Sequence, residues 1–369
     1  MKKHRMVSAI LAILLLLPCV LSSSLAEQAD TSRMYAIASR PFLAETFEEL
    51  IEASEVVLIG QVVSQRPEIR HDLVFTYSSV RVNQIVTGSL AEPAAMIDVL
   101  QTGGSANGMY TPALADEPLM HIGEAYLLCL TYAPEDGQYQ AYYLPTGGGQ
   151  GILPFDEIAQ ATQPNQSAAA AELAGSDTAL AQVLARAEAV FAGRDYGCCE
   201  VMGGLYGEEI SGGHWPKSSV SYDWDSTVTS IFGAYVGSAM VAWNKNDYIT
   251  LTESPFGIQG DILVSSGIYG QSGWEAETSY NVGGTHYGTG KAYYGGIYQK
   301  VSIRVNSSKH ELNDNIWVSI LCHEGGHALG LGHVHPNDDS NSIMIPATDS
   351  RTASRPSSRD IDLVNSIYE

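Results

Sequence analysis

The run HEGGHALGLGH, His323 to His333, gathers three histidines and a glutamate into one short stretch. On a helix His323 and His327 stand four residues apart and share a face, so their imidazoles can hold one divalent cation. Glu324, beside the first histidine, is carried to the flank of such an ion. There it can act on a water rather than ligate. Two ligands do not make a catalytic zinc site: a third must come from elsewhere, and one position must stay open for water. His333 can supply the third if the chain leaves the helix and turns back. Gly330 falls where a helix end needs positive φ, which glycine adopts without penalty, and Gly332 loosens the return. Gly326 lets another segment approach closely, whereas Gly325 has no such reason in the sequence. Each interior glycine costs a helix roughly 1 kcal/mol relative to alanine. Zinc binding contributes on the order of 10 kcal/mol in structural sites, so the glycines do not argue against a helix.

The elements that must position this run follow from periodicity. Trp317 to Leu329 is expected to be the helix carrying it, and Ser358 to Tyr368 a last helix with Ser357 and Asp360 as its N-cap signal. Upstream, Ser218–Trp224, Tyr248–Leu251, Asp261–Val264 and Val301–Val305 read as strands, and Ser230–Trp243 as an amphipathic helix. Tyr269 to Tyr298 reads as loops around a short strand near Trp274–Asn281. Residues from about Phe47 to Phe155 are β-rich, with strands at Ser54–Val63, Phe75–Ile85, Ala95–Leu100, Glu124–Tyr132 and Gln138–Leu144. Gly60 sits mid-strand, as at a bulge or barrel bend, and Asp136-Gly137 is a hairpin signal. Such short strands suggest a small barrel or sandwich. A helix from about Asp177 to Phe191 follows an Ala/Gln/Ser-rich linker. The expected division is 1–26, 27–159 (β-rich), 160–202 (linker and helix) and 203–369 (mixed α and β).

Residues 1–26 have the three parts of a secretory signal: Lys2, Lys3 and Arg5, an apolar run from Val7 to Leu21, and Ser24-Leu25-Ala26 at the cleavage position. Cleavage after Ala26 is expected, with the mature chain secreted. A lipoprotein reading on Cys19 is weaker, since Pro18 replaces the small residue expected before it. The apolar run is short for an uncleaved membrane anchor. The chain has 369 residues, 19 Lys+Arg against 41 Asp+Glu, and a formal charge of −22. That excess of acid disfavours nucleic acid and anionic membranes as partners, and nothing later is long and apolar enough to span a bilayer. Four cysteines remain after cleavage, Cys129, Cys198, Cys199 and Cys322, in three conceivable pairings.

The form HExxHxxGxxH, with its HALGLxH wording, resembles the metzincin zinc peptidases, most closely the matrixin-like branch. Ser342-Ile343-Met344-Ile345-Pro346, about ten residues after His333, resembles the family's methionine turn, with Met344 beneath the metal. The closing SRDIDLVNSIY resembles the helix that ends matrixin catalytic domains. The likeness covers about Gly203 to Glu369 and implies an α+β fold: a zincin-like (metzincin) catalytic domain preceded by a small all-β barrel or sandwich. It implies one catalytic zinc on His323, His327 and His333, Glu324 as general base, and an extended protein or peptide substrate on an edge strand near Glu275–Tyr280. Tyr269, Tyr287, Tyr293, Tyr294 and Tyr298 either line that cleft or pack loops. The strand order of the β-rich half loosely resembles netrin-like barrels, which include tissue inhibitors of metalloproteinases. Those inhibitors place an amino-terminal cysteine on zinc, and this chain has none at its mature start.

Two departures matter. Ile345 stands where matrixins often have tyrosine, so no tyrosine of that turn can assist the oxyanion. The family's wording for structural zinc and calcium is also absent. His214, His286, His310 and His335 make no second ligand set, and Asp338 and Asp339, which could bind calcium, read rather as a solvated loop. Matrixins are silenced by a propeptide cysteine, but RDYGCCEV around Cys198 and Cys199 lacks that wording. A disulfide, to Cys322 or Cys129, or a plain thiol is the preferred reading. The β-rich half could be a pro-region, an inhibitory cap or a binding module. The reading is a secreted zinc endopeptidase. Its alternative is a non-enzymatic secreted or surface adhesion protein with a structural zinc, against which an intact Glu324 argues.

Overall fold

Two sheets organise the chain. The structure is a computed structural model that describes residues 33–114, 117–161, 177–194, 213–225, 227–228, 230–255, 258–283, 296–309, 314–334 and 338–369. The signal segment, Cys198, Cys199, His286, His310, His335, Tyr287, Tyr293 and Tyr294 lie outside them.

The first sheet comprises β2 (Val56–Arg70), β3 (Leu73–Gly88), β4 (Met96–Thr102), β7 (Ala125–Ala133), β8 (Tyr142–Pro145) and β9 (Ile152–Pro154), with a small side ribbon of β5 (Gly104–Ala106) and β6 (Met109–Thr111). β2 and β3 form a long antiparallel hairpin, longer than the sequence strands implied, with a register shift between Ile59 and Gly60 where the bend was expected. From β3 the pairing passes to β4, then β8, then β7, and β7 pairs back with β2, so the strands close on themselves. Alternation supplies the two faces. Val56, Leu58, Val80, Val99, Leu128 and Leu130 share one apolar cluster. Val57, Leu127, Cys129 and Leu153 share another, completed by helices α1 (Phe47–Glu52) and α3 (Thr178–Gly193) through Leu50, Leu184 and Phe191. The short helix α2 (Phe155–Gln160) follows β9.

The second sheet runs in the order β1 (Arg33–Ser39), β14 (Ala276–Gly283), β15 (Gly296–Asn306), β13 (Ile262–Gly267), β11 (Ser219–Trp224), β12 (Thr250–Glu253), with β10 (Gly213–His214) also on β15. β11, β12, β13 and β15 are parallel neighbours, and β14 alone runs antiparallel to β15. The parallel pairs require crossovers, and α4 (Ser230–Ala242) provides the one between β11 and β12. Helices α4, α5 (Asp314–Ala328) and α6 (Ser358–Tyr368) share one core with the sheet, built on Val220, Val264, Val301, Ile303, Trp243, Leu321 and Val364. The chain's first described strand therefore belongs to the sheet of its C-terminal half. Residues from Met34 to Glu369 form one compact unit. Among the described residues no helix is long and apolar enough to cross a membrane.

Cys129 and Cys322 are buried free thiols, which removes them as disulfide partners for Cys198 or Cys199. Burial pushes the Cys129 thiol up to about 12, so it stays protonated and unreactive at neutral pH.

Candidate metal centre

Helix α5 is buried along its last two turns, from Ser319 to Ala328. It ends in a Schellman motif: the Leu331 amide donates to the Gly326 carbonyl at 3.0 Å and the Gly330 amide to the His327 carbonyl at 2.9 Å. Gly330 has φ +98°, and a Cβ there would lie 2.2 Å from the Gly213 carbonyl oxygen. Only glycine fits both the conformation and the space. Past this turn the chain doubles back, and the Val334 amide donates to the Met344 carbonyl at 3.0 Å.

His333 is thereby returned to the two helical histidines. The ring centroids lie 4.5 Å (His323–His327), 5.2 Å (His323–His333) and 4.8 Å (His327–His333) apart. One nitrogen from each ring falls within 4.8 Å of the others. Two rings are oriented by carbonyls: His323 Nδ1 donates to the Ile343 carbonyl at 2.8 Å and His327 Nδ1 to the Leu331 carbonyl at 2.9 Å. A proton on Nδ1 leaves a lone pair on Nε2, as a metal ligand requires. His323 Nε2 is buried with no hydrogen-bond partner. His327 Nε2 and His333 Nε2 stand 3.1 Å apart. A buried lone pair without a donor is costly, and a cation at the centre of the three rings would relieve it. The residues present fit a tetrahedral divalent ion with three imidazoles. Burial first, and then neighbouring positive charge, holds His323 and His327 well below the ordinary imidazole range, so both are neutral and ligand-ready.

Glu324 is fully buried, and its Oε2 accepts a hydrogen bond from Thr278 Oγ1 at 2.5 Å. Thr278 lies on β14, so that strand runs directly past the centre. The methionine stretch lies on the other side of α5. A Cβ on Gly326 would come within 2.3 Å of Met344 Sδ and 2.8 Å of Trp243 Cζ2. Gly325 has a reason too: a Cβ there would meet Trp243 Nε1 at 3.0 Å, and that indole donates to the Cys322 carbonyl at 3.0 Å. Both glycines let α4 and the turn pack directly on the helix backbone.

The turn is fixed by side chains that the sequence did not single out for this purpose. Asp360, fully buried, accepts from Ser342 Oγ (2.5 Å), the Ile343 amide (2.9 Å) and the Ser357 amide (2.7 Å). The capping signal Ser357–Asp360 was legible, but its second use, holding the turn, was not. Arg351 donates to the carbonyls of Ile345 at 2.9 Å and Pro346 at 3.3 Å. Burial draws this guanidinium down to about 10, against the pull of Glu324 and Glu275. Nothing in the spacing of Thr278 or Arg351 could have announced them.

Other candidates fall elsewhere. His214 lies in β10, outside the histidine cluster. Asp339 accepts from the Asn341 amide and Ser357 Oγ, which gives it a structural role in its loop. Tyr269 and Tyr298 are core residues at 1% and 2% exposure, so packing, not cleft lining, is their role.

Residues 217–369 match the family described as Matrixin. Two solved structures of myroilysin also match. One is 16% identical and covers 42% of this chain and 85% of its own, with a TM-score of 0.27. The other is 14% identical and covers 43% and 98%, with a TM-score of 0.28. Likeness at that level adds nothing to the fold described above. No curated protein matches the chain.

Proposed function

From the premise that residues 217–369 are a matrixin-type zinc metallopeptidase domain, we propose that His323, His327 and His333 hold one zinc and that Glu324 is the general base of peptide-bond hydrolysis. The observation that carries this is the convergence of three buried imidazole nitrogens within 4.8 Å, one of them an orphaned lone pair, beside a buried carboxylate. Zinc held there supplies a Lewis acid and brings the pKa of a water near neutrality.

The chain's own groups do the rest. The carbonyls of Ile343 and Leu331 keep each Nδ1 protonated and each Nε2 aimed inward. Thr278 Oγ1 occupies one lone pair of Glu324 Oε2, which fixes the carboxylate plane and leaves Oε1 to take the proton of the attacking water. The same oxygen returns that proton to the leaving amine. Ile345 provides no hydroxyl, so stabilisation of the developing oxyanion falls to other groups. The substrate is protein or peptide. Residues 1–26 have the make-up of an export signal, and cleavage after Ala26 would deliver a secreted enzyme with a formal charge of −25. The acidic loops give no reason to add calcium.

The test uses the full mature chain, loaded with zinc and assayed on a mixed peptide library beside Glu324→Gln. Both proteins are expected to bind one zinc, and only the native one to cleave, with a loss of about 10²-fold or more in the variant. Equal cleavage by the variant would remove Glu324 from the mechanism. Zinc bound stoichiometrically with no cleavage under any condition would favour the adhesive alternative.

A further inference from the structure

The centre that should meet a polypeptide is closed: His323, Glu324 and His327 have no exposed surface and His333 is 7% exposed. The described chain shows what lies along it. β14, whose Thr278 touches Glu324, is bonded to β15 on one edge. An extended peptide that passes Glu324 as an added strand must use the other edge. That edge is taken by β1. The chain after β1 then meets the opposite wall. Arg40 bridges Ala347 in parallel sense, the Thr348 amide donates to the Arg40 carbonyl at 2.9 Å, and the Asp349 amide to the Pro41 carbonyl at 3.3 Å. That wall directly follows the methionine turn whose Ile343 carbonyl orients His323. Residues 36–41 thus run from the strand at Glu324 to the wall behind the histidines, bonded to both.

The closed β-sheet unit holds this segment in place. Ile37 enters the core of the C-terminal half, whereas Ala36 and Ala38 enter a cluster with Phe75, Leu100 and Trp274. Ala36 also bridges Leu114. Arg40, 2% exposed, pairs with Glu117 at 2.9 Å. Its seat is close-fitting: a Cβ on Gly148 would lie 2.2 Å from Arg40 Cζ.

We propose that residues 36–41 are an internal peptide occupant of the strand-addition edge at the metal centre. The folded chain is then self-blocked, and the same edge takes an extended substrate peptide once this segment leaves. The β-sheet unit is the clamp, acting through Arg40, Glu117 and Gly148. The blocking consequence rests on the peptidase reading, and the docking itself does not.

The experiment uses the full mature chain with a recognition site for an unrelated protease inserted between Glu45 and Thr46, which are exposed. After cutting, the amino-terminal peptide is stripped and two quantities are read: hydrogen exchange of the β14 amides, and cleavage of the peptide library. Stripping should speed exchange in β14. If the open form is about a tenth of the population or less beforehand, stripping should raise cleavage about tenfold or more. A synthetic peptide of residues 33–41 should restore both protection and inhibition. Free exchange with bound zinc but unchanged or lower cleavage overturns the blocking, and a peptide that fails to protect β14 overturns the docking. Should the stripped protein unfold, uncut Arg40→Ala decides instead: faster β14 exchange with higher cleavage supports the proposal, and faster exchange without it overturns it. If no form cleaves while the peptide still protects β14, the peptidase reading falls and the docking stands.

Discussion

At the scale of single residues, the centre depends on close contacts made by small groups. Thr278 donates one hydrogen bond, to a carboxylate, in a buried place. Such bonds are worth about 1.5–3 kcal/mol, and each ~1.36 kcal/mol is tenfold in rate. Thr278→Val keeps the volume and removes the donor. Its kcat is expected to fall about tenfold or more, with KM and zinc content little changed, and Thr278→Ser should recover most of the loss. A variant that loses zinc, or moves only KM, would deny Thr278 this positioning role. Gly325 and Gly326 make a second comparison. A methyl on Gly326 would strike Met344 Sδ and Trp243 Cζ2, at 2.3 and 2.8 Å, whereas one on Gly325 meets its nearest neighbour at 3.0 Å. Overpacking a core costs about 1–3 kcal/mol, and the helix gains back roughly 1. Gly326→Ala should therefore lower the denaturant midpoint clearly and Gly325→Ala little. The reverse order would show that the helix does not pack on the turn as described.

At the scale of elements, α6 does two jobs through one carboxylate. Asp360 completes its own N-terminal capping box and also accepts from Ser342 and Ile343 in the methionine turn. Asp360→Ala would leave buried donors without acceptors, each worth about 1–3 kcal/mol. The loss should exceed the ~1 kcal/mol of a simple cap. Because Ile343 orients His323, zinc affinity should fall too, read by competition with a chelator. Ser357→Ala removes only the hydroxyl side of the cap and should cost about 1 kcal/mol with zinc affinity nearly intact. Equal effects of the two variants on zinc affinity would separate the helix end from the metal centre.

Across the whole molecule, charged groups tie the two sheets together. Asp72, in the β2–β3 turn, pairs with Arg304 of β15 at 2.5 Å and accepts from Tyr269 Oη at 2.7 Å, and Arg304 also pairs with Glu277 of β14 at 2.6 Å. Burial works to raise the Asp72 carboxyl, but the Arg304 guanidinium and the Tyr269 hydroxyl outweigh it and hold the group below the usual carboxylate range. A folded-state pKa below the unfolded one contributes stability above the unfolded value, about 3.9 for aspartate, and loses it as pH falls through the folded value. Asp72→Asn should therefore lower Tm at neutral pH, with the gap from the native chain closing on acidification below about pH 4. The effect should be modest, since this carboxylate is half exposed and screened. A gap that persists undiminished in acid would mean that Asp72 acts through packing, not charge.

The sequence by itself determined what lay within one helix and its exit. His323, Glu324 and His327 follow from a period of 3.6 residues, the return of His333 from Gly330, and the last helix from its cap, because each is a local rule read over a few positions. Strand existence was legible in the same way, though β2 and β3 ran well past their expected ends. Long-range pairing was not legible, because backbone hydrogen bonds between strands carry no residue code. Only the tertiary structure decided that β1 crosses to the sheet of the other half and lies against β14. It alone brought Thr278 to Glu324, and gave Gly325 its reason in the indole of Trp243. It alone made Arg40, one of 19 basic residues in the chain, the buried anchor of a segment that lies along both walls of the centre.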